Sequence, residues 1–149
     1  ESENAYLTCL DVLSELGEKE FLNEKLPDYS GGKDVASLVA RITKRLENKT
    51  EEEMLAIKGD SALQISSIMK FYSFITIVAF FVKQEVVLPL CCRMIDLTLS
   101  YGVTKHSVIG LVQISAAICN RSSLQCDVGG ACNIGKLGIS LLDRIESSD

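Results

Sequence analysis

The chain has 149 residues with 15 Lys+Arg against 20 Asp+Glu, and 47% of it is hydrophobic, with no Trp and only 2 Pro. That length fits a single domain, residues 1–149, able to bury about 70% of its unfolded surface. A formal charge of -5 argues against nucleic acid as a partner, because a phosphate backbone would repel it. Nothing at the N-terminus resembles a signal peptide, so an intracellular, cytoplasmic location is expected. The missing initiator Met suggests a piece of a longer chain.

In chain order, Tyr6, Leu10, Leu13 and Leu16 recur at helical spacing and stop at Gly17, a residue suited to closing a helix. A short first helix is expected there. Phe21–Gly32 reads as a loop, because Pro27, Asp28, Ser30, Gly31 and Gly32 are turn formers in sequence. Val35, Leu38, Val39, Ile42 and Leu46 trace the stripe of a second helix. Its other face carries Lys33, Arg41, Lys44 and Arg45 and reads as solvated. Thr50-Glu51-Glu52-Glu53 is a capping box that also places carboxylates at the positive end of a helix dipole. Capping, rather than metal ligation, accounts for the triplet. A short helix to Ile57 follows, ended by Gly59.

Phe71–Val82 is the most apolar run, uncharged between Lys70 and Lys83. A spanning helix needs roughly 20 apolar residues, so this run is too short and no transmembrane segment is expected. Leu63, Ile65, Ile68 and Met69 extend the pattern backwards, and Asp60 or Ser61 can cap it, with Gln64 as capping-box partner. Ser61–Val82 is expected to be the central helix, covered on several sides because its second half is apolar nearly all round.

Pro89 suits the first turn of the next helix, whose stripe is Leu90, Met94, Leu97 and Tyr101 before Gly102. Thr104 can cap a helix to about Cys119, with Val108, Leu111, Val112, Ser115 and Ile118 inward and Gly110, Ala116 and Ala117 allowing close approach. The last helix covers about Val128–Ile145, lined by Ile134, Leu137, Leu141, Leu142 and Ile145. Gly130, Ala131, Gly135 and Gly138 thin one side of it, and Gly135 and Gly138 are expected to touch a neighbouring helix. No segment alternates with period two. The expected fold is therefore all-α, about six helices in a helix-hairpin, tetratricopeptide-like array, although the tetratricopeptide consensus is absent.

The residues make no positive case for catalysis. Gly130-Ala131-Cys132-Asn133-Ile134-Gly135-Lys136-Leu137 nearly spells a phosphate-binding loop, but Leu137 lacks the hydroxyl that would hold magnesium, and polar Arg121–Asp127 stands where a buried strand belongs. His106 is the only histidine and reads as a capping or surface residue. Asp11, Asp96, Asp127 and Asp143 form no acid–base pair by spacing. Cys9, Cys91, Cys92, Cys119, Cys126 and Cys132 lack the short spacing of zinc sites and are expected to be reduced. No catalytic, cofactor-binding or metal-ligating residue is assigned.

Arg93-Met94-Ile95-x-Leu97-Thr98-Leu99-x-Tyr101-Gly102, Ser107, Ile118-Cys119, Ile134-Gly135-Lys136-Leu137 and Leu141-Leu142-Asp143-Arg144 resemble one region of large multidomain signalling proteins. Cys9-Leu10-x-Val12-Leu13-x-x-Leu16-Gly17, Pro27 and Thr50-Glu51-Glu52-Glu53-Met54-Leu55 are similar to the segments preceding it. Such proteins carry a kinase-like domain, an AAA/STAND predicted ATPase, a long tetratricopeptide-like helical region, and often sensor, histidine-kinase or cyclase modules. The resemblance implies a helical scaffold or signal-relay module whose partners are proteins or other domains of the parent chain. It transfers no catalytic or nucleotide-binding residue. Ala131 stands where a glycine is expected, and Cys91, Cys92 and Cys132 are additional. The alternatives are a structural subunit docking in a larger assembly, and a nucleotide-binding enzyme using the Gly130–Lys136 loop.

Overall fold

Apolar residues at three- and four-residue spacing build helix along nearly the whole chain. The computed structural model describes residues 1–30, 35–57, 62–120 and 128–147. Its helices are α1 (Ser2–Leu13), α2 (Leu26–Ser30), α3 (Val35–Leu46), α4 (Glu51–Ala56), α5 (Ala62–Val82), α6 (Val87–Tyr101), α7 (Ser107–Asn120) and α8 (Val128–Ser147). No strand occurs among the described residues, so the protein is all-α. The proposed caps Asp60 and Ser61, and with them Gly31, Gly32, Lys33, Gly59 and Cys126, lie outside the described residues.

From α5 onward each helix packs on the next, α5 on α6, α6 on α7 and α7 on α8. The N-terminal α1 lies on α5, α3 on α6, and α4 on α8. Two clusters of buried side chains result, and they share α6. On one side Leu90, Met94 and Leu97 meet Leu13, Phe21, Met69 and Tyr72. On the other, Leu88, Cys91, Cys92 and Ile95 meet Val39, Ile42, Leu111 and Ile114. The central helix is thus α6 and not α5. Mean apolar character favoured α5, but a helix becomes central by having neighbours on opposite sides, and only α6 has a cluster on each.

Other expectations change for similar reasons. Phe21–Ser30, the described part of the expected loop, is helical: Phe21–Lys25 winds as a widened helical turn and α2 continues to Ser30. Phe21, Leu22 and Leu26 are buried, and that burial outweighs the turn formers. Pro27, which has no N–H for the helix ladder, follows shortly after that widened turn. Gly17, at φ 108°, turns the chain after α1 in a conformation that side chains resist. The solvated face of α3 is partly engaged, because Arg41 and Arg45 both pair with Asp96 on α6. In α6 and α7, Tyr101 and Val112 are exposed rather than inward, whereas Ile114, not singled out by spacing, is fully buried.

The other caps follow the sequence. Thr50 Oγ1 accepts from the Glu53 N–H at 3.1 Å. Thr104 Oγ1 accepts from the N–H groups of His106 at 3.2 Å and Ser107 at 3.3 Å. Gly102, at φ 116°, ends α6 where a Cβ would lie 2.9 Å from the Ile57 carbonyl oxygen.

Gly138 tests the α7–α8 contact. A Cβ there would stand 3.2 Å from the Leu111 Cβ and 3.4 Å from Val112 Cγ2. Gly138→Leu is expected to cost about 1–3 kcal/mol by overpacking, with Gly138→Ala less. Thermal melts check this: a loss growing with side-chain size supports the contact, and a gain in both variants removes it.

Candidate functional site

The near phosphate loop comes first. Residues 130–136 lie inside α8, so their amides beyond the first turn serve the helix ladder instead of lining a loop around an anion. Lys136 is exposed. Gly135 faces Ser115, where a Cβ would come within 2.9 Å of the hydroxyl oxygen. Helix packing therefore occupies this stretch. Titrating labelled ATP with magnesium is expected to give no saturable binding. Saturable binding that Lys136→Ala abolished would reverse that assignment.

The remaining polar candidates are dispersed. His106 stands in the turn before α7; partial burial lowers its pKa, helped by the charges of Lys105 and Lys70. Asp96 is engaged by Arg41 and Arg45, while Asp11 and Asp143 are exposed. Asp127 lies outside the described residues. Glu51 and Glu52 face Arg144 of α8 at 3.4 and 2.9 Å, tying α4 to α8 in addition to capping. Among the described residues no three His, Cys, Asp or Glu side chains are grouped to hold a metal ion.

One buried polar centre does exist. Glu18, beyond the Gly17 turn, is 6% exposed. Arg93 of α6 grips its carboxylate with both ends, Nε to Oε1 at 2.8 Å and a terminal nitrogen to Oε2 at 3.1 Å. The Tyr72 hydroxyl of α5 donates to the same Oε1, and the Arg93 guanidinium lies 5.3 Å from the Phe21 ring centroid. With every polar atom of the carboxylate engaged, this is a clamp between three segments.

Two surface features remain. A cleft of about 760 Å³ between the end of α3 and α8 is lined by Thr43, Lys44, Lys49, Ile118, Asn133 and Leu137, among others. Thr43 Oγ1 is buried there without a hydrogen-bond partner among the described residues. The second feature is the outer face of α5. Phe74, Ile77, Phe80 and Phe81 are exposed, Phe81 by 76%. Phe74, Ile77 and Phe81 follow the i, i+3, i+7 seam by which helices meet. Lys70 and Lys83, both exposed, flank the run at its two ends. Coverage on several sides was expected for α5; in fact one side is buried and the other bare. The periodicity showed that α5 is apolar all round but carried no count of its neighbours.

By length and composition Gln64–Val82 is long and apolar enough to cross a membrane, a test that the core helix of a soluble protein passes equally; 44% of the window is buried. The twelve-residue run judged too short thus lies in a longer helix. No family model, curated protein or solved structure matches the chain.

The clamp has a pH signature. Burial first, then the Glu18 charge, raises the Tyr72 pKa above its ordinary 10.0. Burial pushes the Cys91 thiol from 9.0 up to about 12. Both are acids held neutral by folding, so their contribution is complete below the unfolded values and is lost as pH rises. Urea unfolding is expected to show nearly constant stability from about pH 7.5, above the His106 range, up to about pH 9, then a decline of up to about 1.4 kcal/mol per pH unit for each group. Tyr72→Phe should flatten the part above pH 10.0. A profile identical to that of the unsubstituted chain would show that Tyr72 titrates normally.

Proposed function

We propose that this chain is a non-catalytic helical docking module, a scaffold or relay arm that holds an apolar helix of a protein partner or of another domain of its parent chain. The observation that carries the reading is the bare seam Phe74, Ile77, Phe81 with Phe80 beside it. Large side chains on one rigid helix, with exposed Lys70 and Lys83 at the two ends of the run, give the apolar centre with polar flanks of a protein-binding patch. Tyr72 on the opposite face of α5 is bonded to Glu18, which holds the seam in a fixed orientation. A protein is favoured over an anionic lipid surface because the formal charge is -5. The resemblance to the tetratricopeptide-like region of signalling proteins supplies the setting, and the serial packing of α5 to α8 suits it.

The test uses the face's own stickiness. Sedimentation velocity over a concentration series is expected to show reversible self-association, lost in Phe74→Glu/Phe81→Glu with helix content and melting temperature retained. Association unchanged by that pair would place the docking surface elsewhere. Flotation of the unsubstituted chain with neutral-lipid vesicles, abolished by the same substitutions, would replace the protein partner by a membrane.

A further inference from the structure

α7 and α8 approach so closely that their facing positions leave no room for side chains on both. A Cβ built on Gly138 would lie 3.2 Å from the Leu111 Cβ, and one on Gly135 would lie 3.4 Å from the Ser115 Cβ. One further step along this seam, four residues on in α7 and three back in α8, places Cys119 opposite Cys132. Both are exposed free thiols, and the Cys119 pKa is raised first by desolvation and then by the neighbouring Cys132 thiol. Disulfides need Cβ atoms about 3.5–4.5 Å apart, and the two preceding pairs, at 3.2 and 3.4 Å, hold the helices just inside that separation. Cys91 and Cys92 differ in being buried in the core, shielded from any oxidant in solution.

We propose that Cys119 and Cys132 are an oxidation site, a dithiol that a peroxide converts into an intrachain disulfide clasping the α7–α8 hairpin. One thiolate attacks a peroxide oxygen; the O–O bond breaks, and the departing oxygen takes up a proton and leaves as water. The resulting sulfenic acid is attacked by the second thiol, the S–O bond breaks, and its oxygen leaves as a second water with that thiol's proton. The two electrons lost by sulfur are those that reduce the peroxide, and a thiol reductant reverses the change. Ile118 and Asn133, each adjacent to one of the cysteines, line the α3–α8 cleft, so the bond would also fix the wall of that opening formed by α7 and α8.

The experiment treats the reduced chain with hydrogen peroxide, alkylates the remaining thiols, digests it and maps the links by mass spectrometry. The Cys126→Ser variant is run beside it, because trypsin leaves Cys126 and Cys132 on one peptide. The expected result is a Cys119–Cys132 link in both chains, reversed by dithiothreitol, with Cys91 and Cys92 alkylated only after denaturation. The oxidised chain should melt at a higher temperature than the reduced one. Cys132→Ser should keep the reduced chain's melting temperature and yield no link to Cys119. A link through Cys126 in its place, a link between two chains, or Cys119 and Cys132 over-oxidised singly would each overturn the proposal.

Discussion

The Glu18 carboxylate is the point on which the N-terminal half depends. A carboxylate this buried costs several kcal/mol in desolvation unless charge and hydrogen bonds replace the lost water. Arg93 and Tyr72 supply both, one from α6 and one from α5. Three segments distant in sequence are thereby fixed at one atom group, and removing either cation or hydroxyl would strand the charge. The Gly17 turn matters for the same reason, since it re-aims the chain after α1 so that Glu18 points inward.

Around that clamp the two buried clusters divide the work of packing. α6 forms the wall between them, and its fully buried residues Leu88, Leu90, Cys91, Met94 and Ile95 point to opposite sides. Its last turn is closed by a second polar knot. The Thr98 and Ser107 hydroxyls lie 2.8 Å apart, and Ser107 Oγ accepts from the Thr104 N–H at 3.0 Å. Gly110 against Met94, Gly135 against Ser115 and Gly138 against Leu111 then let α6, α7 and α8 stack closely. Glycine inside a helix costs about 1 kcal/mol relative to Ala, a cost offset here by the dispersion contacts that close approach allows.

The exposed apolar surface lies where this packing stops. The second half of α5 is apolar nearly all round, but α1, α6 and α7 leave one face of it uncovered, so Phe74, Phe80 and Phe81 remain in solvent. The seam they form is anchored from behind by the Tyr72–Glu18 hydrogen bond. Along α7 and α8 the close seam has a chemical end, with two thiols in the layer after Ser115 and Gly135.

Helix type, and the extent of the helices from α3 onward, were legible in the sequence because they depend on local spacing and caps. The stripe of Val35, Leu38, Val39, Ile42 and Leu46 is buried throughout, Thr50 and Thr104 cap as their positions imply, and Gly135 and Gly138 do mark helix contacts. Which helix stands in the middle, which apolar face stays bare and which charges meet were decided by the tertiary structure. Glu18 and Arg93 are 75 residues apart, and nothing local distinguishes them from surface ions. Phe81 and Ile75 are equally apolar in the sequence, yet one is 76% exposed and the other 0%. Periodicity reports the direction of a side chain around its own axis, whereas burial depends on what another segment places there.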